Sequence, residues 1–150
     1  MYGIVKKTAD IGLNREDAML KTIFFDLDDT LLDFTRAEAE ALRRALTEAD
    51  VPAGAEVLRR YHEINAAQWE LLEEGKLTRD QVLVRRFELL FGELGLSRPA
   101  GRICLQYEEY LEQGHWFVSG AHALLAELSP RYGLYLASNG SAAVQHSRLD

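Results

Sequence analysis

The segment FFDLDDTLLDF, Phe24 to Phe34, brings an apolar run directly into three carboxylates, Asp26, Asp28 and Asp29, followed by the hydroxyl of Thr30. Burying a carboxylate is costly unless it is paired, hydrogen-bonded or bound to a cation. Asp26 and Asp28 stand two residues apart, a spacing that lets both approach one site at the end of a strand. Their mutual repulsion is then relieved by a cation or by a shared proton. A hard cation such as Mg²⁺ takes oxygen ligands and bridges readily to phosphate. The Thr30 hydroxyl can bind locally and hold the loop. Acid pairs also form ordinary polar turns, and D-x-D alone does not separate that reading from chemistry. The whole string of apolar strand, D-x-D-x-T and apolar continuation does, in favour of a reactive site.

These residues need elements to position them. Thr22–Asp26 (TIFFD) reads as a buried strand, being β-branched and aromatic with almost no polar alternation. A second strand, GLYLAS, runs from Gly133 to Ser138 and stops at Asn139-Gly140. Between the two lie helical periods. Thr35 and Glu38 have capping-box spacing, and Leu42, Ala45, Leu46 and Ala49 share a face. A helix is expected from about Ala55 to Glu73, with Tyr61, Asn65 and Trp69 on one side. Thr78 and Gln81 form another capping box ahead of the Leu83, Phe87, Leu90, Phe91, Leu94 stripe, with Gly95 as a C-cap. A fourth helix follows Pro99, a short one carries Leu124, Leu125 and Leu128, and a last one begins at SAAVQHSRL. Strands about 107 residues apart in sequence pair in parallel only around a large insertion, because crossovers are usually far shorter.

Composition limits the classes. Of 150 residues, 47% are hydrophobic and 27% charged, as in soluble globular proteins. A net charge of −7 argues against a broad grip on a nucleic acid polymer or an anionic membrane. No apolar run approaches a membrane span, and the first twenty residues lack the apolar centre of a signal peptide. The only cysteine, Cys104, excludes an intrachain disulfide and a cysteine-rich zinc site. A cytoplasmic location is expected. The histidines are scattered, and Trp69, Tyr107 and Tyr110, though able to stack on a base, have the spacing of a helical core.

Two segments in this order carry a resemblance. FFDLDDTLLDF resembles motif I of the haloacid dehalogenase-like hydrolases, D-x-D-x-[TV] after a hydrophobic strand, and LYLASNG resembles their motif II. The helical insertion is similar to the C1-type cap of that family. DDTLLDF and SNG followed by VQHSRL look most like the branch that acts on pyrimidine nucleoside monophosphates. The resemblance implies an α/β, Rossmann-like core with an inserted helical cap. On it, residues 1–18 are an N-terminal extension, 19–34 and 118–150 a partial core, and 35–117 the cap. It further implies a Mg²⁺-dependent phosphomonoesterase acting on a small phosphorylated metabolite. Asp26 is then the nucleophile that forms an aspartyl-phosphate, and Asp28 the general acid and base. Mg²⁺ is held by the Asp26 carboxylate and the Asp28 main-chain carbonyl. Thr30, Ser138, Asn139 and Gly140 are the remaining binding residues, Ser138 on a phosphoryl oxygen and Asn139 and Gly140 through amides. Asp29 is expected to turn away and serve the loop.

The chain departs from that pattern after motif II. The family has a later basic residue and a later acidic pair, whereas only SAAVQHSRLD follows Gly140. Arg148 comes too early, inside the expected helix, and Asp150 stands alone. The expectation is a chain that ends after two strands of the sheet, with Ile23, Phe24, Phe25 and Leu136 partly uncovered, a sheet edge prone to self-association and activity in doubt. Two other classes compete. A receiver-like module that accepts phosphate on an aspartate also uses strand-end acids, but has short crossovers. A non-enzymatic fragment acting through its helical bundle is the third.

Overall fold

The computed structural model describes residues 20–140 and 142–149; the expected extension, 1–18, lies outside them. The element order is β1 (Thr22–Asp26), α1 (Phe34–Glu48), α2 (Ala55–Glu73), α3 (Arg79–Glu93), α4 (Ala100–Leu111), α5 (Ala121–Leu128), β2 (Gly133–Ala137) and α6 (Ala142–Ser147). The two strands pair in parallel, with Thr22 opposite Gly133 and Asp26 opposite Ala137. This is the α/β arrangement and the strand pairing expected from sequence.

The chain divides into two compact units, Met1–Ala37 with Glu112–Asp150, and Glu38–Leu111. In the first, Leu27, Leu31, Leu32, Ala121 and Leu136 form a buried cluster, with Phe25, Val118, Leu125 and Leu149 packed against it. The expectation that Ile23, Phe24 and Phe25 are partly uncovered holds, whereas the expectation that β1 is buried does not. Its residues alternate between exposed and half-buried, and Phe24 is 63% exposed, stacked on Tyr135 with ring centroids 5.2 Å apart. Each strand face takes alternate side chains, and the cluster covers only the face carrying Phe25 and Leu136. Leu136, expected to lack cover, is buried there.

The second unit is helical. Tyr61, Phe87 and Tyr107 are fully buried, with centroids 5.1 to 5.9 Å apart, so Tyr107 is core as its spacing suggested. Trp69 donates to Asn65 Oδ1 at 3.0 Å. Arg86, absent from the expected stripe, is buried 4.9 Å from the Tyr107 ring centroid and donates to the same Asn65 oxygen at 3.1 Å. The Thr78–Gln81 capping box forms as read. The Thr35–Glu38 box does not. Asp33 caps α1 instead, its Oδ1 accepting from the Arg36 N–H at 2.9 Å. With the helix starting two residues earlier than supposed, Glu38 lies too far into it to reach the cap. Its carboxylate meets His62 Nδ1 and Asn65 Nδ2, both at 2.8 Å. Among the described residues, no helix is long and apolar enough to cross a membrane.

Candidate active site

Asp26 closes β1 and Ser138 follows the last residue of β2, so parallel pairing sets them at the same end of neighbouring strands. Such strands lie about 4.8 Å apart. The loop after Asp26 is pinned on its apolar side by Leu27, Leu31 and Leu32, all nearly inaccessible. The Leu27 carbonyl accepts from the N–H groups of Leu31 and Leu32, both at 3.0 Å. Asp29 sits at φ 54°, a left-handed conformation that aspartate tolerates better than most residues. Its carboxylate accepts from the Thr35 N–H at 2.9 Å and the Thr35 hydroxyl at 3.0 Å. Asp29 therefore holds the loop, the part foreseen for it.

The polar face of the loop treats its other two acids differently. Asp26 is exposed, and its Oδ2 accepts from the Thr30 hydroxyl at 3.1 Å. The Asp28 side chain is 26% exposed and engaged on both oxygens: Oδ1 pairs with Arg148 Nη1 at 2.6 Å, and Oδ2 accepts from Gln145 Nε2 at 2.5 Å. Gln145 Nε2 also donates to Ser138 Oγ at 2.8 Å, and Gln145 Oε1 accepts from Arg148 Nη1 at 3.0 Å. The Gly140 N–H donates to the same Ser138 oxygen at 3.0 Å. Arg148 Nε donates to the Gly114 carbonyl at 3.0 Å, while Nη2, also buried, has no hydrogen-bond partner among the described residues.

Of the residues singled out in the sequence, the structure joins Asp28 and Ser138 through one glutamine, ties the Gly140 N–H to Ser138, and couples Asp26 to Thr30. Asn139 is exposed beside them. Two residues were missed. Gln145 drew no notice, and Arg148 was set aside as a basic residue that comes too soon; its side chain is fully buried against Asp28. The available signal was their spacing of three, which puts both on one side of a helical turn.

Gly140 has a steric reason. A Cβ there would lie 2.1 Å from Gln145 Nε2 and 2.7 Å from its Cδ, so the amide passes through space that only glycine leaves open. Among the described residues no group of three histidine, cysteine or acidic side chains is placed to hold a metal. Mg²⁺, however, is often bound by one or two carboxylates, with waters and a substrate phosphate completing its shell. Asp26, exposed and bonded to a neutral hydroxyl, fits that part. The Asp28 carboxylate, held on both oxygens, leaves its main-chain carbonyl as its donor.

With an acid-bearing loop and a serine at the carboxyl ends of two parallel strands, the chain is similar to haloacid dehalogenase-like hydrolases. The chain is a homologue of such proteins in sequence and in fold. It is 38% identical over 129 residues to HAD-hydrolase YfnB of Bacillus subtilis (strain 168), covering 86% of this chain and 55% of the relative. It is 40% identical over 133 residues to pyrimidine 5'-nucleotidase PynA of Streptococcus pneumoniae (strain ATCC BAA-255 / R6), again with 86% and 55% covered. A magnesium-bound crystal structure of YfnB, described as revealing interdomain movement, superposes with a TM-score of 0.82 over 87% of this chain and 57% of that one. The chain thus spans about 55% of the length of the curated relatives it matches. It matches no protein-family model.

Proposed function

We propose that the chain carries the nucleophile loop of a Mg²⁺-dependent phosphomonoester hydrolase acting on a small phosphorylated metabolite. Nucleoside monophosphates are the first class to try, because one relative is named a pyrimidine 5'-nucleotidase. The observation that carries the reading is the meeting of Asp28 and Ser138 on one glutamine amide, at the strand ends that also bear Asp26.

In this reading an Asp26 oxygen bonds to phosphorus while the ester P–O bond breaks, giving an aspartyl-phosphate. Asp28 gives the departing oxygen its proton, then takes one from the water that cleaves the acyl-phosphate and releases orthophosphate. Both Asp28 oxygens accept hydrogen bonds here, the form that receives a proton in the second step. Ser138 Oγ already accepts two, from Gly140 and Gln145. Its own proton is therefore free to be donated to a phosphoryl oxygen. Thr30 steadies Asp26. The Asp26 carboxylate and the Asp28 main-chain carbonyl would hold Mg²⁺, which would supply charge neutralisation at the phosphoryl group. A reducing, cytoplasmic setting suits a chain whose one cysteine is a buried free thiol.

The test is orthophosphate release by the full-length protein from nucleoside monophosphates and sugar phosphates. Turnover should need Mg²⁺, stop with a chelator and vanish in Asp26→Asn. Turnover that survives Asp26→Asn, or none on any ester, sinks the proposal.

A further inference from the structure

We propose that Gln145 and Arg148 are positioning residues that hold Asp28 in line with the leaving group, with Gly140 leaving the gap that admits the Gln145 amide. The inference rests on the phosphatase reading above.

The hydrogen-bond chemistry allows one arrangement of the Gln145 amide. Oε1 faces the guanidinium, and Nε2 faces two acceptors, the Asp28 carboxylate and the Ser138 hydroxyl oxygen. Turning the amide over would set oxygen against carboxylate and NH₂ against guanidinium, two repulsive contacts in place of two attractive ones. The amide thus couples the acid–base residue to the phosphate-binding serine and fixes both at once. Arg148 secures the other Asp28 oxygen and is itself anchored on the Gly114 carbonyl. Its Nη2 is buried and has no hydrogen-bond partner among the described residues.

The Asp28 carboxylate is held on two sides, by a cation that is fully buried and an amide that is nearly so. A general acid is useful only if its proton meets the ester oxygen as the P–O bond breaks, and a misplacement of about 1 Å can cost a hundredfold in rate. Cutting either hold should therefore act on the proton-transfer step. It should spare steps that need no proton.

The experiment exploits that selectivity. An alkyl phosphate has a poor leaving group and depends on the acid; p-nitrophenyl phosphate has a good one and does not. With Mg²⁺ and the full-length protein, kcat/KM is measured on both esters for the wild type, Gln145→Leu, Arg148→Met and Arg148→Lys. Folding is checked by circular dichroism. Gln145→Leu and Arg148→Met should lose about 100-fold on the alkyl ester, within the usual span of general-acid contributions, and under about tenfold on the nitrophenyl ester. Arg148→Lys, which keeps a cation, should recover part of the alkyl loss. Should Arg148→Met fail to fold, Gln145→Leu and Arg148→Lys decide. Equal losses on both esters, or none on either, overturn the positioning role while leaving the phosphatase reading intact. A wild type inactive on both esters overturns the two together.

Discussion

Gly140→Ala tests the packing of the site without touching a reacting group. Gly140 does not occupy the positive-φ region, so alanine meets no backbone strain there. On its own the change should stabilise the fold by roughly 0.4–1 kcal/mol, by reducing the freedom of the unfolded chain. The new methyl, however, would stand 2.1 Å from Gln145 Nε2 and 2.8 Å from its Cγ. The amide must retreat by more than about 1 Å to reach van der Waals contact. That breaks bonds of 2.5 Å to Asp28 and 2.8 Å to Ser138. A hydrogen bond to a charged group contributes about 1.5–3 kcal/mol. Losing that to Asp28 outweighs the entropic gain and leaves a net destabilisation of about 1–2 kcal/mol. In a Gln145→Ala background there is nothing to collide with, and Gly140→Ala should stabilise. Urea unfolding of all four proteins, followed through Trp116 in the same unit, closes the cycle. The expected coupling is about 2 kcal/mol, the usual size for residues in one network. Effects that add to within about 0.5 kcal/mol would mean that the amide does not occupy this gap.

Elsewhere the expectations are simpler. Phe87→Ala, at a fully buried ring that meets Tyr61, Phe91 and Tyr107, should cost about 3–5 kcal/mol in urea unfolding. The Arg60 guanidinium holds the Glu63 and Glu93 carboxyls below their ordinary value of 4.5. Carboxyls depressed in the folded state add stability above their unfolded value and lose it as pH falls through the folded one. Glu93→Gln should therefore lower the urea midpoint near neutrality, and the gap to wild type should close as pH drops below the ordinary glutamate range. Added salt should shrink the gap as well, since both groups are exposed.

What could be read in the sequence was what depends on near neighbours. The D-x-D-x-T string, the Thr78–Gln81 box and the helical stripes are local, and each appears where its spacing put it. Parallel pairing of strands more than a hundred residues apart was also legible, because two apolar runs ending in polar residues with helices between them leave few alternatives. Apart from the start of α1, which Asp33 caps, the errors have one physical origin. The partner of each misread residue lies at a distance that no periodicity encodes. Phe24 looked buried as part of an apolar strand, while the reading of an incomplete sheet had it partly uncovered, as it is; what covers a strand face is a tertiary fact. Glu38 matched a capping pattern but serves Asn65 and His62 on another helix. Arg148 was judged by its distance in sequence from motif II, while its function in the fold is set by a carboxylate 120 residues away. Gln145, among neighbours of ordinary helical composition, offered only its spacing of three from Arg148.

The two aspartates of the loop look interchangeable in sequence, and their surroundings make opposite demands on them. Asp26 is exposed, and among the described residues its carboxylate accepts from one neutral hydroxyl, at 3.1 Å. A nucleophile must yield an oxygen to phosphorus, and each strong bond on that oxygen would have to be surrendered at the transition state. A light hold suits that task. Asp28 has a cation on one oxygen and an amide on the other. A group that first gives a proton and later takes one must be in the same place on both occasions, so firm anchoring suits it equally well. The asymmetry fits the division of roles proposed above, and it sets an order of sensitivity. Thr30→Val, which frees the lightly held acid, should lower kcat far less than Gln145→Leu, which frees the firmly held one. Matched effects of the two substitutions on the alkyl ester would show that the difference in anchoring has no bearing on the division of labour.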